Sequence, residues 1–184
     1  MRRFFTIRVL LAGLMAGILC GAASAQTTAQ GTINATLVNM NGIAIVFYSD
    51  SAGVTLGGSS SAATMNLGTI SAVGPLSPGV TRTSSSSSQF TVASPFYLSV
   101  IGGNFSASYQ LTAQLAAAAP TGISCSLGAI PLSTTAQTLT TSGTYNTNVV
   151  YNMNLTVSTA APGSGGPATG TPITTTIQFT ATAN

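Results

Sequence analysis

The sequence predicts an all-β protein, an immunoglobulin-like antiparallel β-sandwich of about eight or nine short strands. Three observations lead to that expectation. Apolar residues alternate with Thr, Ser, Asn and Gln in several short runs, the period of a strand with one buried face. Clusters of Gly, Pro, Asn and Ser separate those runs. No stretch offers a convincing helical period, and no fixed internal repeat appears.

Residues 1–25 read as a cleaved secretory signal. Arg2, Arg3 and Arg8 give a charged start, Val9–Cys20 is a short apolar run, and Ala23-Ser24-Ala25 is the small-x-small pattern that signal peptidase accepts. The apolar run falls short of the ~20 residues that a membrane span needs. A lipoprotein anchor at Cys20 is the rival reading, but Leu19 stands where that signal takes a small residue. The mature chain is then a single domain, 26–184, with no transmembrane span. Its expected location is the periplasm, the cell surface or the exterior.

After a polar leader at 26–30, Thr32–Val38 alternates, with Ile33, Ala35 and Leu37 on one face. A turn at 39–42 leads to Ile43, Ile45 and Phe47 on the next strand. Asp50–Ala63 is a Gly/Ser loop with room for a short strand at Val54–Leu56, and Met65–Ile70 forms another strand. Gly74–Ser88, with Pro75, Pro78 and a serine run, is a long exposed loop. Phe90 and Val92 begin a strand in which Pro95 marks an edge or a bulge. Gly102-Gly103-Asn104 predicts a tight hairpin turn into the long alternation of Phe105–Leu115. Ala116–Ala119 could start a helical turn, which Pro120 stops. A short apolar piece, Ile123–Leu132, surrounds Cys125, and Gln137–Thr141 leads into the last two runs. These, Val149–Ser158 and Ile173–Ala183, read as a hairpin across the Gly/Pro-rich loop 159–172. An outer-membrane barrel also alternates, but uneven strand spacing and sparse aromatics do not match its lipid-facing girdles.

Charge narrows the function classes. The formal charge of +3 falls to zero once Arg2, Arg3 and Arg8 leave, so Arg82 and Asp50 remain as the charged side chains. Nucleic-acid binding relies on Lys/Arg clusters and is excluded. Disorder combines low hydrophobicity with high charge, whereas 45% of this chain is hydrophobic. There is no His, Glu, Lys or Trp, so Asp50 has no carboxylate partner, no serine has a usual base, and no ligand cluster for a metal exists. The chain is therefore expected to be non-enzymatic and without cofactor. Asp50, between Ser49 and Ser51, reads as a turn former.

Cys125, alone after signal removal, reads as a small buried residue or as a thiol that pairs with another chain. Three Asn-x-Ser/Thr sequons, at Asn34, Asn104 and Asn154, carry little information in so Thr/Ser-rich a chain. Among the tyrosines that a sugar site could use, Tyr109 and Tyr151 fall on apolar faces and read as core, Tyr145 is open, and Tyr48 and Tyr97 complete the set.

Soluble β-proteins guard edge strands with Lys or inward charges, and this chain has no lysine. The expectation is strand pairing with a neighbouring subunit. Its candidates are Ile33, Ala35 and Leu37 in the N-terminal run, and Ile177, Phe179 and Ala181 in the last. The competing reading makes residues 26–41 simply the first strand of their own domain.

The signal peptide, the N-terminal alternation, Met65-Asn66-Leu67-Gly68-Thr69-Ile70, Ser142-Gly143-Thr144-Tyr145 and the Thr-rich C-terminal run together resemble the spore coat protein U and fimbrial-subunit β-sandwiches of Gram-negative bacteria. The resemblance implies a pilus or coat subunit, assembled with a periplasmic chaperone and an outer-membrane usher. It also implies a disulfide between early strands, which a lone Cys125 does not supply, and an end soon after the Gly-x-Tyr strand, where this chain adds another. The expected function is a secreted or surface structural subunit that self-associates, or joins other surface subunits, by strand addition. A functional amyloid is a variant of that expectation, suited to uncharged windows such as Thr174–Thr182. The alternative is a monomeric module, an adhesion-type domain, that binds carbohydrate or another surface ligand through the loops Asp50–Ser61 and Ser84–Gln89.

Overall fold

Alternating sequence becomes strand wherever one parity can be buried, and with shorter, more exposed pieces such as β3 the described residues form twelve strands. The computed structural model describes the backbone of residues 27–35 and all of residues 42–86, 88–102, 107–158 and 172–184. In chain order the strands are β1 (Thr27–Ala35), β2 (Ala44–Ser49), β3 (Gly57–Ser59), β4 (Ala62–Ile70), β5 (Thr81–Ser85) and β6 (Gln89–Ile101). They continue as β7 (Tyr109–Leu115), β8 (Ile123–Leu127), β9 (Ile130–Pro131), β10 (Gln137–Gly143), β11 (Asn148–Ser158) and β12 (Ile173–Ala183). No helix occurs among the described residues. The signal segment 1–25, Leu37, most of the 39–42 turn, Asn104 and nearly all of the 159–172 loop lie outside them.

The strands form two sheets. One, sheet A, has the order β10-β7-β12-β1-β4-β3; the other, sheet B, runs β2-β6-β11-β8-β9, with β5 also paired to β6. The pairings are antiparallel except that of β1 with β12, which is parallel. Inner faces of both sheets meet in one apolar core. Phe179 of sheet A lies 5.4 Å from Phe47 and 6.4 Å from Phe96 of sheet B, ring centroid to ring centroid, and both contacts are edge-on. These aromatic contacts add to the area buried by Met65, Ile70, Leu98, Leu111 and Ile177. The architecture is β-sandwich-like.

The sequence implied hairpins at two places where the chain instead changes sheets. β11 pairs with β6 and β8, while β12 pairs with β7 and β1, so the last two runs face each other across the core rather than along one ladder. Equal apolar faces serve either arrangement, and hairpin pairing is favoured by connections of two to five residues, which this one exceeds. Likewise β6 and β7, expected to be joined by a tight Gly-Gly-Asn turn, belong to different sheets. The twelve strands among the described residues exceed the eight or nine expected because β3 and β9 have only three and two residues and leave little periodic signal, and because β5 lies within the 74–88 stretch expected to be a loop, where its Ser/Thr-rich sequence shows no apolar alternation. The strand foreseen at 54–56 is displaced to Gly57–Ser59.

Pro95 lies inside a continuous thirteen-residue β6, not at its end. One flank of β6 pairs with β2 at residues 96–101 and with β5 at residues 90–93. Pro95 therefore occupies the gap between two partners, where a missing N–H leaves no ladder bond unmade.

Two glycines carry the local geometry of the motifs noted above. Gly68 has φ of 63° and sits at a bulge, where β1 pairs Ala29 with Gly68 and Gln30 with Asn66, skipping Leu67. Gly143 lies opposite Tyr109 in the β10–β7 ladder, and a Cβ there would come within 2.2 Å of the tyrosine ring. Tyr109 covers that glycine and is itself 1% exposed.

Phe179 is fully buried at the junction of the two sheets, whereas Thr180 faces the outer side. Phe179→Ala should lower unfolding free energy by about 3–5 kcal/mol. Thr180→Ala should change it by no more than about 0.5 kcal/mol. Denaturant unfolding of the two variants measures both, and equal effects would contradict this assignment of faces.

Candidate functional site

β1 is not an edge strand. It lies in the interior of sheet A, parallel to β12 from Ala29↔Ile173 to Ala35↔Phe179 and antiparallel to β4 from Thr27↔Ile70 to Asn34↔Ala62. The bulge at Leu67-Gly68 marks the register on the β4 side, where the pairing steps from Ala29↔Gly68 to Gln30↔Asn66. Ile33 pairs in register with Ile177 and Ala63, and Ala35 with Phe179. Ile177, Phe179 and Ala181, the other strand-exchange candidates, are buried on β12, which has partners on both sides. Leu37 lies outside the described residues.

The outer edges at β3, β10 and β9 are blunt. Sheet A ends in the three-residue β3 and in β10, whose pairing with β7 is twice interrupted by register shifts. Sheet B ends on one side in the two-residue β9, which includes Pro131, and on the other in the six-residue β2, whose Phe47 N–H donates to the Ser60 carbonyl. Short strands, bulges and proline all discourage addition of a further strand. They do here what lysines do elsewhere, which composition alone did not reveal.

Chemically active groups are few and occupied. Asp50 Oδ1 accepts the Ala52 N–H at 2.8 Å, and the Asp50 carbonyl accepts from Gly53 N, closing the turn expected at this residue. The Arg82 guanidinium donates to the Ser71 carbonyl from Nε at 3.2 Å and Nη2 at 2.9 Å, and to the Gly74 carbonyl at 3.0 Å. That clamp fastens the loop after β4 to β5, a role that sequence spacing gave no sign of. No group of three or more His, Cys, Asp or Glu is clustered among the described residues. No described helix is long and apolar enough to cross a membrane.

Cys125 is 2% exposed on β8. Burial raises its thiol from an ordinary 9.0 to about 11, partly offset by a hydrogen bond with Thr175 from the opposite sheet. Such a thiol is a poor nucleophile and is out of reach of another chain while the fold is intact.

The five tyrosines separate into two groups. Tyr109 is core, Tyr151 packs against the core with its ring 6.1 Å from Phe96, and Tyr145 lies 5.1 Å from Tyr109. Burial, then the neighbouring Tyr109, raises the Tyr151 hydroxyl to about 12. Tyr48 and Tyr97, by contrast, are direct cross-strand partners on the outer face of sheet B. The two loops expected to hold a ligand engage their own polar groups. Ser49 Oγ accepts from Leu56 N, and Ser86 Oγ accepts from Ser88 N and Gln89 N. Asn154 of the third sequon donates to Ser126 Oγ and the Gly128 carbonyl, an amide already engaged by the fold.

No protein-family model matches this chain, and no curated protein matches it either.

Raised thiol and phenol values have a defined stability sign. The unfolded Cys125 ionises near 9.0 and the folded one near 11, so its contribution is fully present below pH 9 and is lost as pH rises to about 11. Alkaline unfolding should therefore steepen over that window, and Cys125→Ala should flatten this part of the profile. In parallel, iodoacetamide at pH 8 should label Cys125 only after denaturation; rapid labelling of the native chain would contradict its burial.

Proposed function

We propose that the chain is a secreted or surface structural subunit, non-enzymatic, that associates with copies of itself by exchanging β1. The observation that carries this reading is the placement of a near-terminal strand between two strands of the same sheet. Without β1, β12 and β4 are left about 9.6 Å apart, two strand spacings, with unpaired N–H and C=O groups facing each other. Any strand of the same sequence satisfies that gap equally well, so β1 of one copy can fill the slot of the next. The blunt edges at β3, β10 and β9 favour this slot over edge-to-edge stacking there.

The reading extends the resemblance to coat and fimbrial subunits. The charged start and short apolar run of residues 1–25 support secretion. Chain crossings between sheets, at β6–β7 and β11–β12, support an immunoglobulin-like connectivity. Delivery by a periplasmic chaperone and usher belongs to the same proposal. The neutral, hydroxyl-rich surface is suited to an extracellular polymer that meets varied salt and pH.

Size measurements on the secreted chain 26–184 and on a chain that begins at Gly42 test the proposal. The longer chain should give a heat-sensitive ladder on an unheated denaturing gel. The shorter should stay monomeric or aggregate until a peptide of residues 26–39 is supplied, which should then cap it. A monodisperse longer chain, whose truncation merely abolishes folding, would show instead that β1 is an ordinary first strand.

A further inference from the structure

Sheet B presents an aromatic face that the fold itself does not use. The inward parity of β2, β6 and β11 fills the core with Ile45, Phe47, Phe96, Leu98, Met153 and Leu155. On the outward parity, Tyr48, Tyr97 and Val150 are direct cross-strand partners and form one row across three strands. Tyr48 is 42% and Val150 48% exposed. The row spans about 10 Å, roughly the length of a disaccharide. Ser99, two residues on from Tyr97, is nearly covered, with Val46 and Asn148 as its cross-strand neighbours. Asn152 lies on the same face of β11.

Tyr97 also has a charged neighbour. The Asp50 carboxylate, through its charge first and then hydrogen bonding, raises the Tyr97 hydroxyl above its ordinary value, and Asp50 Oδ1 itself accepts the Ala52 N–H. A carboxylate with spare acceptor capacity thus lies beside the ring. Exposed apolar side chains gathered with a few fixed polar groups mark a recognition surface more often than chance. Tyrosine suits such a surface because its ring gives large contact area at small entropic loss.

Charge excludes an anionic occupant. Arg82, the only cation among the described residues, pairs with Val92, five residues along β6 from Tyr97 and on the opposite parity, and its guanidinium is already bound to Ser71 and Gly74. An anionic ligand would find no counter-charge on this face. A polyhydroxylated neutral ligand finds rings for its C–H faces, and carboxylate and amide groups for its hydroxyls. We infer that the Tyr48–Tyr97–Val150 row, with Asp50 and Asn152, binds a neutral glycan, the chain lying across the three strands. This face is on sheet B and β1 is in sheet A, so the inference does not depend on strand exchange.

Depletion of the mature chain from solution by insoluble cellulose, chitin and xylan, with sulfated dextran beads for comparison, tests it. At least one neutral polysaccharide should deplete the chain, 1 M salt should not release it, and the matching soluble hexasaccharide should. Tyr48→Ala and Tyr97→Ala should each weaken partition about tenfold, and Tyr97→Phe by less. Far-UV circular dichroism and unfolding midpoints check that the variants fold, and elution by the hexasaccharide needs no variant. Several outcomes would overturn the inference: no depletion by any of the three, preference for the sulfated beads, undiminished binding by both alanine variants relative to the parent chain, or a dimer that Tyr97→Ala dissociates while no polysaccharide binds.

Discussion

Backbone hydrogen bonds from β1 to β12 on one side and to β4 on the other hold sheet A together, and much of the remaining geometry depends on that double ladder. β4 supplies Ala63, Met65, Leu67 and Ile70 to the core, and β12 supplies Ile173, Ile177, Phe179 and Ala181. No other pairing links these two strands. A missing β1 would leave both apolar faces in place but without a shared sheet to align them. The Leu67-Gly68 bulge marks the step in the offset between β1 and β4.

Among the described residues, hydrogen bonds between uncharged side chains tie the ladders together, and the two charged side chains bond to backbone groups. Thr91 and Thr156 share a hydrogen bond of 2.8 Å across the β6–β11 ladder, and Gln114 donates to Gln178 at 3.0 Å across β7–β12. Buried Ser94 accepts from Val54 N, and Arg82 bonds to carbonyls rather than to a carboxylate. Among the described residues, no buried side-chain polar atom is left without a partner. These contacts are short-ranged and little screened by salt, in contrast to surface ion pairs.

Strand existence was readable in the sequence because alternation is a local property. Tyr109–Leu115 and Ile173–Ala183 show in the structure the burial that their parity implies. Partner choice was not readable. Val149–Ser158 and Ile173–Ala183 have equivalent apolar faces, and only the long-range packing of two sheets decides that they lie on opposite sides of the core. The same limit hid the Tyr48–Tyr97 pair, forty-nine positions apart in sequence and adjacent only through the β2–β6 register. Gly143 stood out as a motif residue, yet its reason, the Tyr109 ring lying over it, depends on a ladder between β10 and β7 that no local pattern encodes. Pro95 misled for a related reason: its tolerance depends on where β2 stops and β5 begins.

The parallel pairing of the first and last strands also has a mechanical consequence. Because β1 and β12 run the same way, Thr27 and Asn184 lie towards opposite ends of sheet A. A force applied between them acts along the β1–β12 ladder, not across it. The register pairs from Ala29↔Ile173 to Ala35↔Phe179 are then loaded together in shear, whereas a hairpin pulled at its open end parts one bond after another. Asn184 adds an anchor at the far end through Ser108 and the Thr141 carbonyl. Pulled along the line between Thr27 and Asn184, the β1–β12 ladder resists as one unit.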